Sequence, residues 1–222
     1  MNDNRIETKF LIDKWSEKKF IKIIKCLPFK IEEKYSPRQV NNIYLDTLKK
    51  DNLLDHLDGI NKRYKCRIRW YGKFNSFYNP YLEFKIKHNK IIKKKKLKLI
   101  FPKSKKFPKN KNDLYKIISN SLKRASFVNF VQNYEIARII TYKRQYLESK
   151  SHKIRFTIDK EIKYKTWKGS SVIVKSEDKI LNKEFKIIEV KHGIDQKNLI
   201  PTIIKNFQLK PESYSKFVSY RY

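Results

Sequence analysis

The chain has 222 residues, with 54 Lys and Arg against 22 Asp and Glu, giving a formal charge of +32. That length allows one large domain or two small ones with a substantial core, and the charge calls for a polyanionic partner. No apolar run approaches the length of a membrane span, and the first residues, Met1 to Arg5, lead into no signal-like apolar stretch.

Composition also tempers the charge. Lys, Asn and Ile are abundant and Gly is scarce, as in a chain translated from an AT-rich genome, so arginine is a better guide to function than lysine. Cys26 and Cys66 show no metal or redox spacing and read as free thiols in a reducing compartment. The expectation is a soluble, cytoplasmic protein, for which any membrane coupling requires a membrane-protein partner subunit.

In chain order, residues 5–12 alternate, with Arg5, Glu7 and Lys9 opposite Ile6, Phe10 and Ile12, and read as a strand. Residues 16–27 change to helical spacing, with Phe20, Ile23, Ile24 and Leu27 on one stripe. A short strand over 40–46 leads into a polar turn or helix that runs towards Leu57 and ends at Asp58-Gly59. Residues 64–71 form a strand with Lys65, Arg67, Arg69 and Tyr71 on one face. A turn over 72–80 joins it as a hairpin to 81–87, where Tyr81, Glu83, Lys85 and Lys87 oppose Leu82, Phe84 and Ile86. The expected pairing sets Arg67 and Arg69 against Glu83 and Lys85.

A strand over 93–101 begins with the lysine run Lys93 to Lys96, and a Pro- and Lys-rich loop fills 102–112. A helix is predicted over 113–131. Strands follow over 136–147, carrying Tyr142, Arg144 and Tyr146 together, and over 153–159, carrying Arg155 with Asp159 at a strand end. The last strand, 184–191, places Glu189 and Lys191 on one face. A helix over 196–207 and a short aromatic C-terminal segment close the chain.

One strand with a charged face and an apolar face is an ordinary half-buried strand. Here the polar faces repeat Arg-x-Arg, Glu-x-Lys and Glu-x-Lys-x-Lys, while three amphipathic helices are available to cover the apolar faces. The pattern predicts an α+β fold: a closed antiparallel barrel of about eight strands, helices outside, and a polar interior. Several cations and a few carboxylates in such an interior suit a polyanion held by Lys and Arg, with a hard divalent cation on oxygen ligands. Four glycines and no GxxxxGK block leave phosphate binding to side chains.

These blocks, Arg5-Ile-Glu-Thr-Lys9, Asn42-Ile-Tyr-Leu-Asp46, Arg67-Ile-Arg69, Glu83-Phe-Lys85-Ile-Lys87, Tyr142-Lys-Arg144, Arg155-Phe-Thr-Ile-Asp159, Glu189-Val-Lys191 and Ser215-Lys216, stand in one order over nearly the full length. In that order and spacing the chain resembles the VTC polyphosphate-polymerase domain of the triphosphate tunnel metalloenzyme (CYTH-like) superfamily. The resemblance implies one domain over residues 1–222, an eight-stranded tunnel and a C-terminal helix at one mouth bearing Ser215 and Lys216. It implies phosphate binding by Lys9, Arg67, Arg69, Lys85, Tyr142, Arg144, Arg155, Lys191, Ser215 and Lys216. Glu7, Glu83 and Lys87 would support them, and Glu189 would hold Mn²⁺ or Mg²⁺.

Two departures stand out. Arg5 occupies the first acidic position of the superfamily's usual Glu-x-Glu-x-Lys signature, as is common in the polymerase branch. Ser213 stands where the polymerases typically have lysine. The leading expectation is transfer of the ATP terminal phosphate to growing inorganic polyphosphate. A tunnel triphosphatase or polyphosphatase uses the same site with water as nucleophile. A non-catalytic polyphosphate- or nucleotide-binding module is a third reading, and with this charge nucleic acid would bind only nonspecifically.

Overall fold

A computed structural model describes residues 5–12, 17–89, 91–100, 106–123, 133–151, 153–168, 171–174, 186–193, 198, 201, 205, 210–212 and 214–218. Among the described residues, nine strands and three helices follow in the order β1 (Arg5–Ile12), α1 (Glu17–Lys25), β2 (Glu32–Thr47), α2 (Asp51–Leu57), β3 (Lys62–Tyr71), β4 (Tyr81–His88), β5 (Ile91–Lys98), α3 (Lys111–Leu122), β6 (Tyr134–Ser149), β7 (Ile154–Lys168), β8 (Ser171–Val174) and β9 (Lys186–Gly193). The strand path is β1-β9-β7-β6-β2-β3-β4-β5, with β8 paired to β7. The fold is α+β with an antiparallel sheet, and β1 and β5 end the path without a pairing between them among the described residues.

The chain divides into two compact units. Unit 1 comprises Met1–Arg38, Lys143–Ile162 and Lys179–Ser215; unit 2 comprises Gln39–Tyr142, Lys163–Asp178 and Lys216–Tyr222. In unit 1, α1 lays Phe20 and Ile24 onto Phe10, Ile12, Phe156, Ile158, Ile188 and Val190. Those strand residues recur every second position, so one face of β1, β7 and β9 is apolar and the other is left for charge. Burying a side chain of this size contributes roughly 1.5–3 kcal/mol. In unit 2, Ile43, Leu45, Cys66, Ile68, Trp70, Leu82 and Phe84 pack with Leu114, Ile118 and Leu122 of α3.

Two helix starts have side-chain causes. Asn110 caps α3 by accepting the Asp113 amide at 2.9 Å, which moves the start ahead of the predicted residue 113. Asp46 takes the amides of Asn52 and Leu53 at 3.0 and 3.1 Å, so the last residue of the Asn42–Asp46 block anchors the first turn of α2.

Several sequence expectations change. β2 begins at Glu32, not near Val40. The β3–β4 register pairs Arg67 with Glu83 but Arg69 with Tyr81, and Lys65 faces Lys85. Asp159 lies inside β7 rather than at a strand end. The expected C-terminal helix is absent among the described residues: Lys216, Phe217 and Val218 form a turn. Most of the helix expected over 196–207, and Ser213, fall outside the described residues. Both cysteines are free thiols, Cys66 buried and Cys26 exposed. No helix among the described residues is long and apolar enough to cross a membrane.

Candidate functional site

Each unit carries one polar sheet face, opposite its core. In unit 1 the register aligns Lys9, Glu189 and Thr157 in one row across β1, β9 and β7, and Glu7, Lys191 and Arg155 in the next. Opposite charges therefore face each other between β1 and β9, whereas β7 sets Arg155 beside Lys191. The Lys191 ammonium lies 3.3 Å from Glu7 and 3.4 Å from Glu189. Lys9 is 3.2 Å from Glu7 and donates to the Tyr214 carbonyl at 2.8 Å, which ties the segment after residue 210 to β1. The Glu212 amide donates back to the Lys9 carbonyl at 2.9 Å.

Arg144, from β6, enters this face nearly buried. Its guanidinium grips both oxygens of the fully buried Asp159 and reaches Glu189 at 3.4 Å. Thr157 donates to the same Glu189 oxygen at 3.5 Å. Glu189 is thus a buried carboxylate bordered by Arg144, Lys191 and Thr157. Arg155 instead approaches Glu148 at 3.6 Å, and Lys34 holds both Glu148 oxygens at 2.7 and 2.6 Å.

In unit 2, β3 presents Arg67 and Arg69 beside β2 and β4. Arg67 donates through Nε and Nη2 to Glu83 at 2.8 and 2.7 Å and through Nη1 to the Tyr44 hydroxyl at 3.3 Å. Arg69 donates to the Asn42 side-chain oxygen at 2.8 Å and to the Tyr142 hydroxyl at 3.0 Å. Asn42 is fixed in turn by its amide's bond to the Ile140 carbonyl at 3.2 Å. The other Glu83 oxygen takes Lys94 at 2.7 Å, with Lys96 at 3.7 Å. The lysine run thereby resolves: Lys94 and Lys96 turn to the polar face. Lys85 pairs in register with Lys65 and Lys94, and Lys87 with Arg63 and Ile92, further along the same strand.

The C-terminal turn docks on unit 2 as well. Arg138 donates to the Phe217 carbonyl at 2.6 Å, the Phe217 ring stacks on Tyr44 at 4.9 Å, and the Lys216 ammonium sits 5.0 Å from the Tyr142 ring centroid. Ser215 is half-buried beside it, at the end of unit 1.

The electrostatics follow from this crowding. Burial alone would raise the Glu83 carboxyl, but Arg67, Arg69 and Lys94 outweigh it and hold the group well below the ordinary carboxylate range. Burial likewise opposes ionisation of Tyr44, yet Arg67, Arg69 and Lys216 lower its hydroxyl. Lys94 falls to about 8, because burial and the charges of Arg67 and Lys96 outweigh its attraction to Glu83.

A divalent cation needs oxygen ligands. Among the described residues no three acidic, His or Cys side chains converge to form a complete protein-only site. Glu7, Asp159 and Glu189 are kept apart by interleaved Lys191 and Arg144. A Mg²⁺-like ion is commonly held by only one or two carboxylates and completed by phosphate oxygens and water.

A model of the VTC domain matches residues 4–221. The chain belongs to the VTC-domain family. No curated protein matches it. Among solved structures this VTC domain is similar to a candidate adenylate cyclase from Vibrio parahaemolyticus, at 10% identity and a TM-score of 0.53, covering 97% of both chains. It is similar to another from Bacillus halodurans at 14% identity and a TM-score of 0.51, covering 96% of both. At these identities the likenesses show a shared fold.

Beyond Glu7 and Glu83, sequence reasoning did not single out the residues that hold the cations in place. Asp159 grips Arg144, Asn42 and Tyr44 orient Arg69 and Arg67, and Glu148 collects Lys34 and Arg155. The signal was present for Asn42 and Tyr44, which alternate with Ile43 and Leu45 on β2. Lys34 stands in the part of β2 that escaped prediction. The departure at Arg5 concerns a side chain outside the described ones, although its backbone pairs with Gly193.

Proposed function

We propose that this VTC domain is a metal-dependent polyphosphate polymerase that uses ATP. The observation that carries this reading is the set of Arg67, Arg69, Lys94 and Lys96 gathered around one carboxylate, Glu83, in a chain of the VTC family. Four cations to one anion leave a net positive field, suited to a substrate bearing several negative phosphoryl groups. Closure of the sheet into a tunnel, as the family fold implies, belongs to the same proposal.

In this reading a terminal oxygen of phosphate or of the growing chain attacks the γ-phosphorus of ATP. A new P–O bond forms, the bond to the β,γ-bridging oxygen breaks, and ADP leaves. Arg67, Arg69 and Lys85 hold phosphate oxygens, with Lys94 beside them. Tyr142 adds a hydroxyl, and Lys216 a further positive charge. Glu83 orients Arg67 through its two hydrogen bonds. In unit 1 the same reading gives Lys9, Arg144, Arg155 and Lys191 phosphate contacts of their own.

Glu189, with Glu7 near it, would hold Mn²⁺ or Mg²⁺, which when bound neutralises charge on the transferring phosphoryl group. Incoming phosphate competes for Lys191 and Arg144, which relieves Glu189 of part of its present ion pairing. Catalysis of this kind rests on positioning and preorganised charge rather than on a protein nucleophile.

The test is incubation of purified protein with ATP and Mn²⁺, with ADP and acid-stable polymer both measured. ADP together with chain-length-resolved polymer is the expected result. ADP with orthophosphate alone would make the domain a hydrolase, and no turnover with either metal would remove the enzymatic reading.

A further inference from the structure

Unit 1 carries an aromatic arrangement that phosphate binding does not use. The Arg38 guanidinium lies 4.7 Å from the Tyr35 ring centroid and 4.9 Å from that of Tyr146. The two rings meet edge to face, 5.6 Å apart and 88° between planes. Tyr146 is buried, which fixes one wall of the group, whereas Tyr35 is 46% exposed and leaves ring surface open to solvent. The Lys34 ammonium is 5.6 Å from the Tyr35 centroid, and its bidentate bond to Glu148 restrains it there.

This group adjoins the charged face of the same unit. Tyr146 also lies 6.0 Å from the Arg144 guanidinium, which touches Asp159 and Glu189. A single tyrosine ring therefore separates the Tyr35–Arg38 stack from the carboxylate–arginine cluster. An exposed tyrosine alone is unremarkable on a protein surface. One whose ring is backed by a guanidinium, in the unit whose Arg144 and Lys191 are read above as phosphate contacts, offers an aromatic face supported by a cation.

We propose that the exposed ring of Tyr35, backed by Arg38 and braced by the buried Tyr146, is the platform on which the base of the incoming nucleoside triphosphate stacks. The inference rests on the nucleotide-dependent reading given above. Polyphosphate has no planar face and gains nothing from an aromatic surface, whereas every nucleobase has two, and stacking on Tyr and Arg is tolerant of base identity. The platform would make the domain prefer ATP over tripolyphosphate as donor, with weak discrimination among bases. Product, which lacks a base, would not compete for the platform.

The test compares ATP with tripolyphosphate, a base-free probe of the same phosphate groups, in wild type, Tyr35→Ala and Tyr35→Trp. Tyr35 is exposed enough for substitution to leave the fold intact, and a thermal melt checks this. In Tyr35→Ala the KM for ATP should rise on the order of tenfold, as loss of one base–aromatic stack implies. The KM for tripolyphosphate should stay unchanged, and Tyr35→Trp should restore ATP affinity.

Equal weakening towards both compounds, or none towards ATP, would overturn the platform while leaving the polymerase reading intact. If the wild type turns over neither compound, calorimetric titration with each reads the platform directly. Selective loss of ATP affinity in Tyr35→Ala would then support the platform without catalysis, and its absence would end it.

Discussion

The two polar faces are made by the same period-two alternation, yet they are different electrostatic objects. On the unit 1 face, four carboxylates (Glu7, Glu148, Asp159, Glu189) are interleaved with five cations (Lys9, Lys34, Arg144, Arg155, Lys191). On the unit 2 face, one carboxylate, Glu83, is shared by Arg67, Arg69, Lys94 and Lys96. The first is close to neutral and owes its order to mutual pairing. The second keeps excess positive charge and is held partly by neutral groups, the Asn42 oxygen and the Tyr44 and Tyr142 hydroxyls. Neutral partners orient a guanidinium without cancelling its charge, so the second face keeps the larger excess of positive charge.

The sharpest way to break this contrast is at Asp159. Asp159→Ala leaves the buried Arg144 without its bidentate partner and should destabilise the protein by about 3–5 kcal/mol, measured by denaturant unfolding. A loss below about 1 kcal/mol would mean that Glu189 alone satisfies Arg144.

Next comes Glu189→Gln, which keeps the shape and removes the charge. Turnover should fall by about 10²–10³-fold if Glu189 holds the metal that neutralises the transferring group, and excess Mn²⁺ should not restore it. An unchanged rate would take Glu189 out of that role.

On the cation-rich face, Arg69→Ala removes a charge from a site already shaped by Asn42 and Tyr142. Affinity for tripolyphosphate should drop by about 1.5–3 kcal/mol, read by calorimetry, with less effect on folding than Asp159→Ala. A larger loss of stability than of affinity would reverse the assignment of roles between the two faces.

The smallest effect is in the pH profile. The folded pKa of Lys94 is about 8, below its ordinary 10.5, so the unfolded chain binds more protons between those values. Charging Lys94 thus costs stability below pH 8, and that cost fades as pH rises through the window. Polyphosphate affinity should move the opposite way, weakening as pH rises through about 8 and the ammonium is lost. Lys94→Arg, always charged, should flatten the affinity profile; an unchanged slope would place the titration elsewhere.

Much of this was legible because a sheet with one apolar face writes itself as alternation. Lys65–Tyr71, Tyr81–Lys87 and the Glu189–Lys191 face could be read directly, and α1 could be read from its stripe of Phe20, Ile23, Ile24 and Leu27. The first half of β2 could not. Its residues 32–38 are largely exposed, lack alternation and include Pro37, which reads as a strand breaker and is tolerated at edges and bulges.

Register was also hidden. A turn over 72–80 does not fix which residues face each other, so Arg69 was assigned the wrong partner. Ion-pair partners were least legible, because alternation shows that Asp159 and Arg144 are charged residues of two strands but not that they meet. Position within β7 decides that, and its continuation past Asp159 lies in a charged stretch without an obvious pattern.

Glu161 sits in that continuation with a φ of 53°, a left-handed turn inside a strand. Before it, Ile154, Phe156 and Ile158 enter the unit 1 core from even positions. After it, the odd-numbered Trp167 packs against the unit 2 core, while even-numbered Tyr164 reaches the Lys216 carbonyl. The residue acts as a frame shift written in backbone geometry. Removing that one residue would let plain alternation run through β7 and still carry Trp167 to its core face, at the cost of the local bend, whereas one added residue would exchange core-facing and solvent-facing positions along the rest of the strand. An insertion between Asp159 and Ile162 should therefore destabilise the protein far more than a deletion of Glu161, as denaturant unfolding of the two variants would show.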